Sequence, residues 1–539
     1  MDEVGIVLAM LLAVVASGYL VRILPFAVPL PLVQIALGAA ISGTTSHGVR
    51  LEPHIFFLLF LPPLLFLDGW RIPKVGLFRD RSTILELALG LVLFTVIGAG
   101  FLIHWLIPSL PLAVSFALAA ILAPTDPVAV SSIAARVPIP PRLMHILEGE
   151  SLLNDASGLV CFRFAVAAAL TGTFSLGEAT LTFLWVALAG IAIGVGLTVA
   201  VSAAQRILAA RIGEESGSPI LVNLLLPFGA YLAAEHVAAS GILAAVAAGI
   251  TMSYVELSGR ALATTRVRRA VVWDTVQFAL NGIMFVLLGE QLPAIVKAAL
   301  GAPGLPAAHD VWWLLGNALA ISVGLILLRF IWVWVSLRLT LLAARRQQQA
   351  VYRPNPRLIL ATSLAGVLTL PLAMPNGTPF PGRDLVIFLA SAVIVVSLVL
   401  ASVGLPRVLR GLELPAEPAH ESEEDRARHA AALAALEAIA ATPPPPPTAG
   451  CDLEGAAEMH ASAADQVRSL YQYRLDGGTG AGIDPDRARA AESAERHYRL
   501  AALEQERAVL LRMARHNQLS DEIARKLLRE IDLVEARYR

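Results

Sequence analysis

Ionisable residues fall inside stretches of the chain that are otherwise apolar, among them Asp68, Glu86, Asp126, Glu148, Glu150, Asp155, Arg163, Glu235, Asp274, Glu290 and Arg329. Their spacing singles out two neighbouring stretches. In ILAPTDPVAVSSIAA, Asp126 stands between Pro124 and Pro127. A proline inside a helix removes a backbone donor and clashes with the preceding turn, so this pair predicts a broken helix with carbonyls left open. In HILEGESLLNDASGLVCFRFAVAAAL, Glu148, Ser151 and Asp155 are related by three, four and seven residues and share one helix face. Glu150 and Asn154, four apart, share a neighbouring face. Carboxylate oxygens suit a hard cation such as Na⁺. A carboxyl group in low dielectric also resists ionisation and can hold a proton instead. One site that takes either a cation or a proton is sufficient for exchange. Glu86, Asp274 and Glu290 lie near the ends of apolar stretches, as does Glu235 beside His236, and a solvated interfacial role is expected for all four.

The elements that position these residues belong to a membrane. The 539 residues are 56% hydrophobic and only 15% charged, where globular domains hold about a quarter charged residues. The deficit is uneven: residues 1–412 hold 19 of the 42 acids and 25 of the 41 bases, and the rest of the charge crowds into 413–539. Apolar stretches of a length to cross hydrocarbon fall near 4–24, 26–43, 55–70, 84–106, 110–134, 143–171, 178–204, 218–238, 240–255, 271–296, 311–337, 358–376 and 385–405, thirteen in all. The boundary within 218–255 is weakly marked. Asp2 and Glu3 stand where a signal peptide would be basic, so the first stretch reads as a span. With the N-terminus outside, the inner connections carry twenty Lys and Arg and the outer ones three, which sets the orientation. The fold class expected is an all-α membrane protein of about thirteen transmembrane helices, with inverted repeats and broken helices at the site. Arginine far outnumbers lysine and alanine is abundant, the bias of a GC-rich bacterial genome, so the membrane expected is a bacterial inner (cytoplasmic) one.

Three domains are expected: a transmembrane domain over 1–411, an acidic and Pro-rich flexible linker over 412–450 with one possible short helix, and a cytosolic helical tail over 451–539. Within the tail, 486–516 and 520–538 carry apolar residues at helical spacing, Ile523, Leu527, Leu528, Ile531 and Val534 among them. Cys161 and Cys451 make no disulfide framework. No basic, aromatic-interleaved surface points to nucleic acid, and no cofactor fingerprint or hydrolytic motif is present, so neither a cofactor nor an enzymatic activity is expected.

Thr125-Asp126-Pro127 in one broken span, with Glu150, Asn154 and Asp155 in the next, resembles the sodium/proton exchangers of the monovalent cation:proton antiporter-1 family. The stretches FFLLFLPPLLFLDGW and LNGIMFVLLGEQLP carry the same resemblance, which covers about residues 5–410. It implies a homodimer in which a core domain moves against a dimerisation domain. It implies Asp155 as the main ion and proton ligand, with Thr125, Asp126 and Ser151 beside it on Na⁺ and Asn154 adjacent. It also implies that Glu150 pairs with an arginine on a later span, a position matched by Arg329 in LILLRFIWVWV. Relatives with Asn-Asp rather than two aspartates tend to exchange one ion for one proton, so electroneutral exchange is expected.

The activity expected is therefore secondary antiport of Na⁺, or K⁺ or Li⁺, against H⁺, serving sodium transport and pH homeostasis. A channel would need a repeated pore loop, which is absent. A membrane ion sensor with the tail as output would need a kinase, cyclase or phosphoacceptor pattern, which is absent too. One departure from the family stands out. Where relatives carry Arg-Gly facing the acid of the third span, this chain has Ala365-Gly366. Asp68 thereby loses its expected partner, and Arg163 appears eight residues after Asp155. Buried charges are costly, so an Arg163–Asp68 pair is expected.

Overall fold

A computed structural model of the chain describes residues 3–23, 28–43, 53–72, 74–125, 141–171, 176–212, 217–257, 263–301, 311–346, 380–409, 418–443, 461–469, 471–472, 485–516 and 521–538. The described residues form helices and no strand, divided between two compact units, Met1–Glu413 and Leu414–Arg539.

The first unit contains α1 (Glu3–Ile23), α2 (Leu30–Ser42), α3 (Pro53–Arg71), α4 (Lys74–Arg79) and α5 (Arg81–Leu106). It continues with α6 (Leu112–Leu122), α7 (Pro141–Thr171), α8 (Leu176–Ile212), α9 (Ser218–His236) and α10 (Gly241–Leu257). Then come α11 (Ala263–Leu300), α12 (Val311–Arg346) and α13 (Arg383–Leu409). Among the described residues, seven helices are long and apolar enough to cross a membrane: α5, α7, α8, α9, α11, α12 and α13. Shorter apolar helices coincide with the expected spans at α1, α2, α6 and α10. The expected span 358–376 lies outside the described residues.

Packing sorts these helices into two bundles. In one, α2 and α1 lie along α11, α3 along α10, and α8 and α9 complete the set. Apolar side chains do not drive association in lipid, so close backbone contact must. Glycines provide it reciprocally: a Cβ on Gly38 would run into the Val286 carbonyl and one on Gly289 into the Ile35 carbonyl, tying α2 to α11. A Cβ on Gly69 would lie 2.5 Å from the Val246 carbonyl oxygen and one on Gly249 would run into the Phe66 carbonyl, tying α3 to α10. The other bundle comprises α5, α6, α7, α12 and α13 around a buried core from Val92 to Val393. The bundles meet chiefly where α11 packs on α13, with lesser contacts from α7 to α3, α4 and α10.

The weakly marked boundary within 218–255 is a turn at Val237–Ser240. Ala238 has φ 56°, the Ala239 N–H donates to the Ala234 carbonyl at 2.9 Å, and the Ala238 N–H to that of Glu235 at 3.0 Å. That is a Schellman helix end, with alanine where glycine is usual. Ser240 then caps α10, its Oγ accepting the Leu243 N–H at 3.2 Å.

In the second unit, α14 (Pro418–Ala441) occupies most of the segment expected to be a linker. Alanine has the highest helix propensity, and ten alanines in those 24 residues outweigh the acidic ones. Farther on, α15 (Pro485–Arg515) and α16 (Asp521–Tyr538) pack as a hairpin on Leu503 and Ile531. Arg507 of α15 reaches Asp532 at 2.8 Å and also Glu535 of α16. The hydrogen bond from Arg507 to Glu535 raises the guanidinium pKa above its ordinary value, against the opposing effect of burial, with Asp532 adding to the rise.

Candidate functional site

The two stretches singled out by their residue types meet within the second bundle. Helix α6 ends at Leu122 with Ala123 as its C-cap, and Pro124 and Thr125 follow outside the helix, as the paired prolines predict. Pro124 lies against Gly158 of α7, where a Cβ would strike its ring. That contact brings Thr125 alongside α7.

There a buried polar network forms. Arg329 of α12 donates from both terminal nitrogens to the two carboxylate oxygens of Glu150, each at 2.5 Å. The Thr125 hydroxyl donates to Glu150 Oε1 at 3.3 Å and accepts from Asn154 Nδ2 at 2.8 Å. Asn154 Oδ1 is buried and has no hydrogen-bond partner among the described residues. Ser157, one turn after Asn154, donates to the Ala88 carbonyl of α5 at 2.6 Å.

The two faces of α7 expected from the spacing differ in exposure. Glu150, Asn154 and Ser157 are buried, whereas Glu148, Ser151 and Asp155 are half-buried. The guanidinium neutralises Glu150 at bidentate range, so that carboxylate is committed to structure. Asp155 lies on the more open face, one turn from Ser151. Asp126 and Ala365 lie outside the described residues. A half-buried carboxylate on a helix that packs against broken backbone can ligate a hard cation or hold a proton, which is the chemistry of exchange.

Arg163 does not behave as expected. Its guanidinium lies 4.0 Å from Glu235 of α9, where a pair with Asp68 was expected. The positions explain the difference: Arg163 borders Ser240 and Leu243 of α10, whereas Asp68 is level with Gly249, two residues from each of its contacts Phe66 and Trp70. That separates them by roughly 9 Å along α10. Glu235, expected to be merely solvated, is the acid within reach. Glu290 also departs from expectation. It is buried, at 3% exposure, because α2 crosses α11 there, with Gly38 against the Glu290 backbone nitrogen. Asp274, by contrast, is exposed and paired with Arg71.

Two features escaped the sequence reading. Ser157 was unmarked because one serine in an apolar helix carries no signal until its acceptor is known. Glu256, at the end of α10, accepts from Trp70 Nε1 at 2.7 Å and pairs with Arg269 at 3.4 Å. Lys74, 5.2 Å over the Tyr254 ring, has its pKa lowered by burial against the opposing pull of Glu256.

Comparison with known proteins adds to this geometry. The family described as "Sodium/hydrogen exchanger, transmembrane" matches residues 8–411. The chain is 39% identical over 541 aligned residues to an uncharacterized Na(+)/H(+) exchanger of Escherichia coli (strain K12), covering 98% of each. It is 40% identical over 429 residues to a sodium, potassium, lithium and rubidium/H(+) antiporter of Bacillus subtilis (strain 168), covering 75% of this chain and 61% of that one. Among solved structures, the sodium proton antiporter MjNhaP1 of Methanocaldococcus jannaschii shares the fold at TM-score 0.54 and 17% identity, over 78% of this chain and 100% of that one.

Proposed function

Because the chain belongs to the sodium/hydrogen exchanger family, we propose that it exchanges Na⁺ for H⁺ one for one, both ions competing for Asp155. It is a multi-pass membrane cation/proton antiporter, a secondary transporter and not an enzyme. The finer reading rests on the division of α7 into two faces. Arg329 neutralises Glu150 on the buried face, and Asp155 occupies the open one. With Asn154 rather than a second aspartate beside it, one proton replaces one cation and no net charge moves. Thr125, Asp126 and Ser151 complete the Na⁺ ligands in this proposal, with Asn154 Oδ1 as a further oxygen within the site.

The charge bias of the connections supports an N-terminus outside a bacterial inner membrane and a cytosolic tail. A homodimer belongs to the same proposal. A second reading, broad selectivity including K⁺ and Li⁺, is favoured by the name of the Bacillus subtilis relative. Fluorescence dequenching in everted vesicles, with Na⁺, K⁺, Li⁺ and Rb⁺ added in turn, tests both readings. Dequenching by Na⁺ alone supports the first reading, and dequenching by all four the second. No response to any cation rejects exchange. Acceleration by an imposed membrane potential in proteoliposomes rejects electroneutrality.

A further inference from the structure

Within α5, Glu86–Leu91 forms a π-helical turn. Such a turn carries an extra residue, shifts the hydrogen-bond ladder to i→i+5, and recurs at functional sites. A carbonyl displaced from its ladder must find another donor when no water is at hand. Ala88 is fully buried within this turn, and its carbonyl receives the Ser157 hydroxyl at 2.6 Å. Two residues on, a Cβ at Gly90 would lie 2.7 Å from the Trp332 ring. One short turn of α5 therefore touches α7 two residues after Asp155 and α12 three residues after Arg329.

We propose that Ser157 is a positioning residue for the cation site. Its bond to the Ala88 carbonyl fixes the rotation of α7, and thereby the directions in which Asp155 and Asn154 Oδ1 face. This inference rests on Asp155 being the cation ligand. Rotating a helix by roughly 10° moves an oxygen at its surface by about 1 Å, whereas metal–ligand distances are held to about 0.2 Å. A small loss of rotational control is therefore a large loss of coordination. The Asn154 carbonyl competes for the same hydroxyl, lying 2.9 Å from Ser157 Oγ. A hydroxyl has one proton to give, so the bond to α5 is the one that couples the two helices; the other stays within α7.

The test is Na⁺/H⁺ exchange by the full chain in proteoliposomes, comparing wild type with Ser157→Ala, Ser157→Cys and Ser157→Thr. Ser157→Ala is expected to raise the KM for Na⁺ about tenfold, with Vmax little changed and the pH profile displaced. Threonine keeps the hydroxyl and is expected to hold the KM near wild type. Cysteine keeps the volume with a weak donor and is expected to resemble alanine. If the alanine variant cannot be reconstituted, the cysteine and threonine variants carry the comparison. A wild-type KM and pH profile in the alanine or cysteine variant would overturn the proposal, as would a threonine variant as impaired as the cysteine one. Exchange persisting in Asp155→Asn would instead overturn the ligand assignment, an outcome read in a different protein.

Discussion

Two of the ion pairs made by helix α7 are of opposite character. Glu150–Arg329 lies within one bundle, is bidentate at 2.5 Å, and has side-chain exposures of 1% and 5%. Arg163–Glu235 joins the two bundles through a single 4.0 Å contact, with exposures of 54% and 40%. Two buried charges hold each other because neither has another way to be solvated. An exposed pair trades solvent for solvent and gains little. The helix is thus pinned firmly beside the candidate cation site and only lightly to the neighbouring bundle. That division suits a helix whose site must stay intact if the bundles shift.

The sharpest test of the contrast removes one partner of the buried pair. Glu150→Ala should destabilise the protein by about 3–5 kcal/mol, because Arg329 is left as an uncompensated charge. Thermal unfolding in detergent measures it, and an unchanged Tm would refute the buried-pair account. Replacing both residues by methionine should be less damaging than either single change.

Asp155→Asn comes next. It should abolish exchange in vesicles while leaving Tm near wild type, since the carboxylate lies on the more open face. A Tm loss as large as that of Glu150→Ala would mean that Asp155 is structural as well.

At the other pair, Arg163→Gln or Glu235→Gln should cost about 0.2–1 kcal/mol. A double-mutant cycle with Arg163→Asp and Asp68→Arg should show no coupling, whereas one with Glu235 should show some. Coupling to Asp68 would overturn the assignment of the pair. The smallest effect is expected next door: Ala238→Gly should stabilise the chain by about 0.5 kcal/mol. Relief of the left-handed strain at φ 56° outweighs the added freedom of the unfolded chain. A lower Tm would contradict that.

The legible parts of this protein are those whose physics is local. Apolar length marks most of the described helices of the first unit, and the two prolines around Asp126 foretell the end of α6 at Leu122. Spacing alone separated Glu148, Ser151 and Asp155 from Glu150 and Asn154, since helical geometry fixes which residues share a face. The α9–α10 boundary was hard to read because the Schellman end uses alanine, so the customary glycine signal is missing. The helix α14 was underestimated because acidic and proline-rich neighbours disguised an alanine-rich interior.

Partners were a different matter. Electrostatic economy told the sequence that Arg163 needs an acid, but it could not say which, because the cost of a lone charge does not depend on the identity of its rescuer. The crossing of α7 near Ser240, and of α3 near Gly249, assigned Arg163 to Glu235. Likewise a π turn is an adjustment of the hydrogen-bond ladder, made where packing allows it, and nothing in ELALGL announces it. Residue type and period determined which side chains can do chemistry; the contacts between helices decided which of them meet, because those distances are set by whole surfaces fitting together.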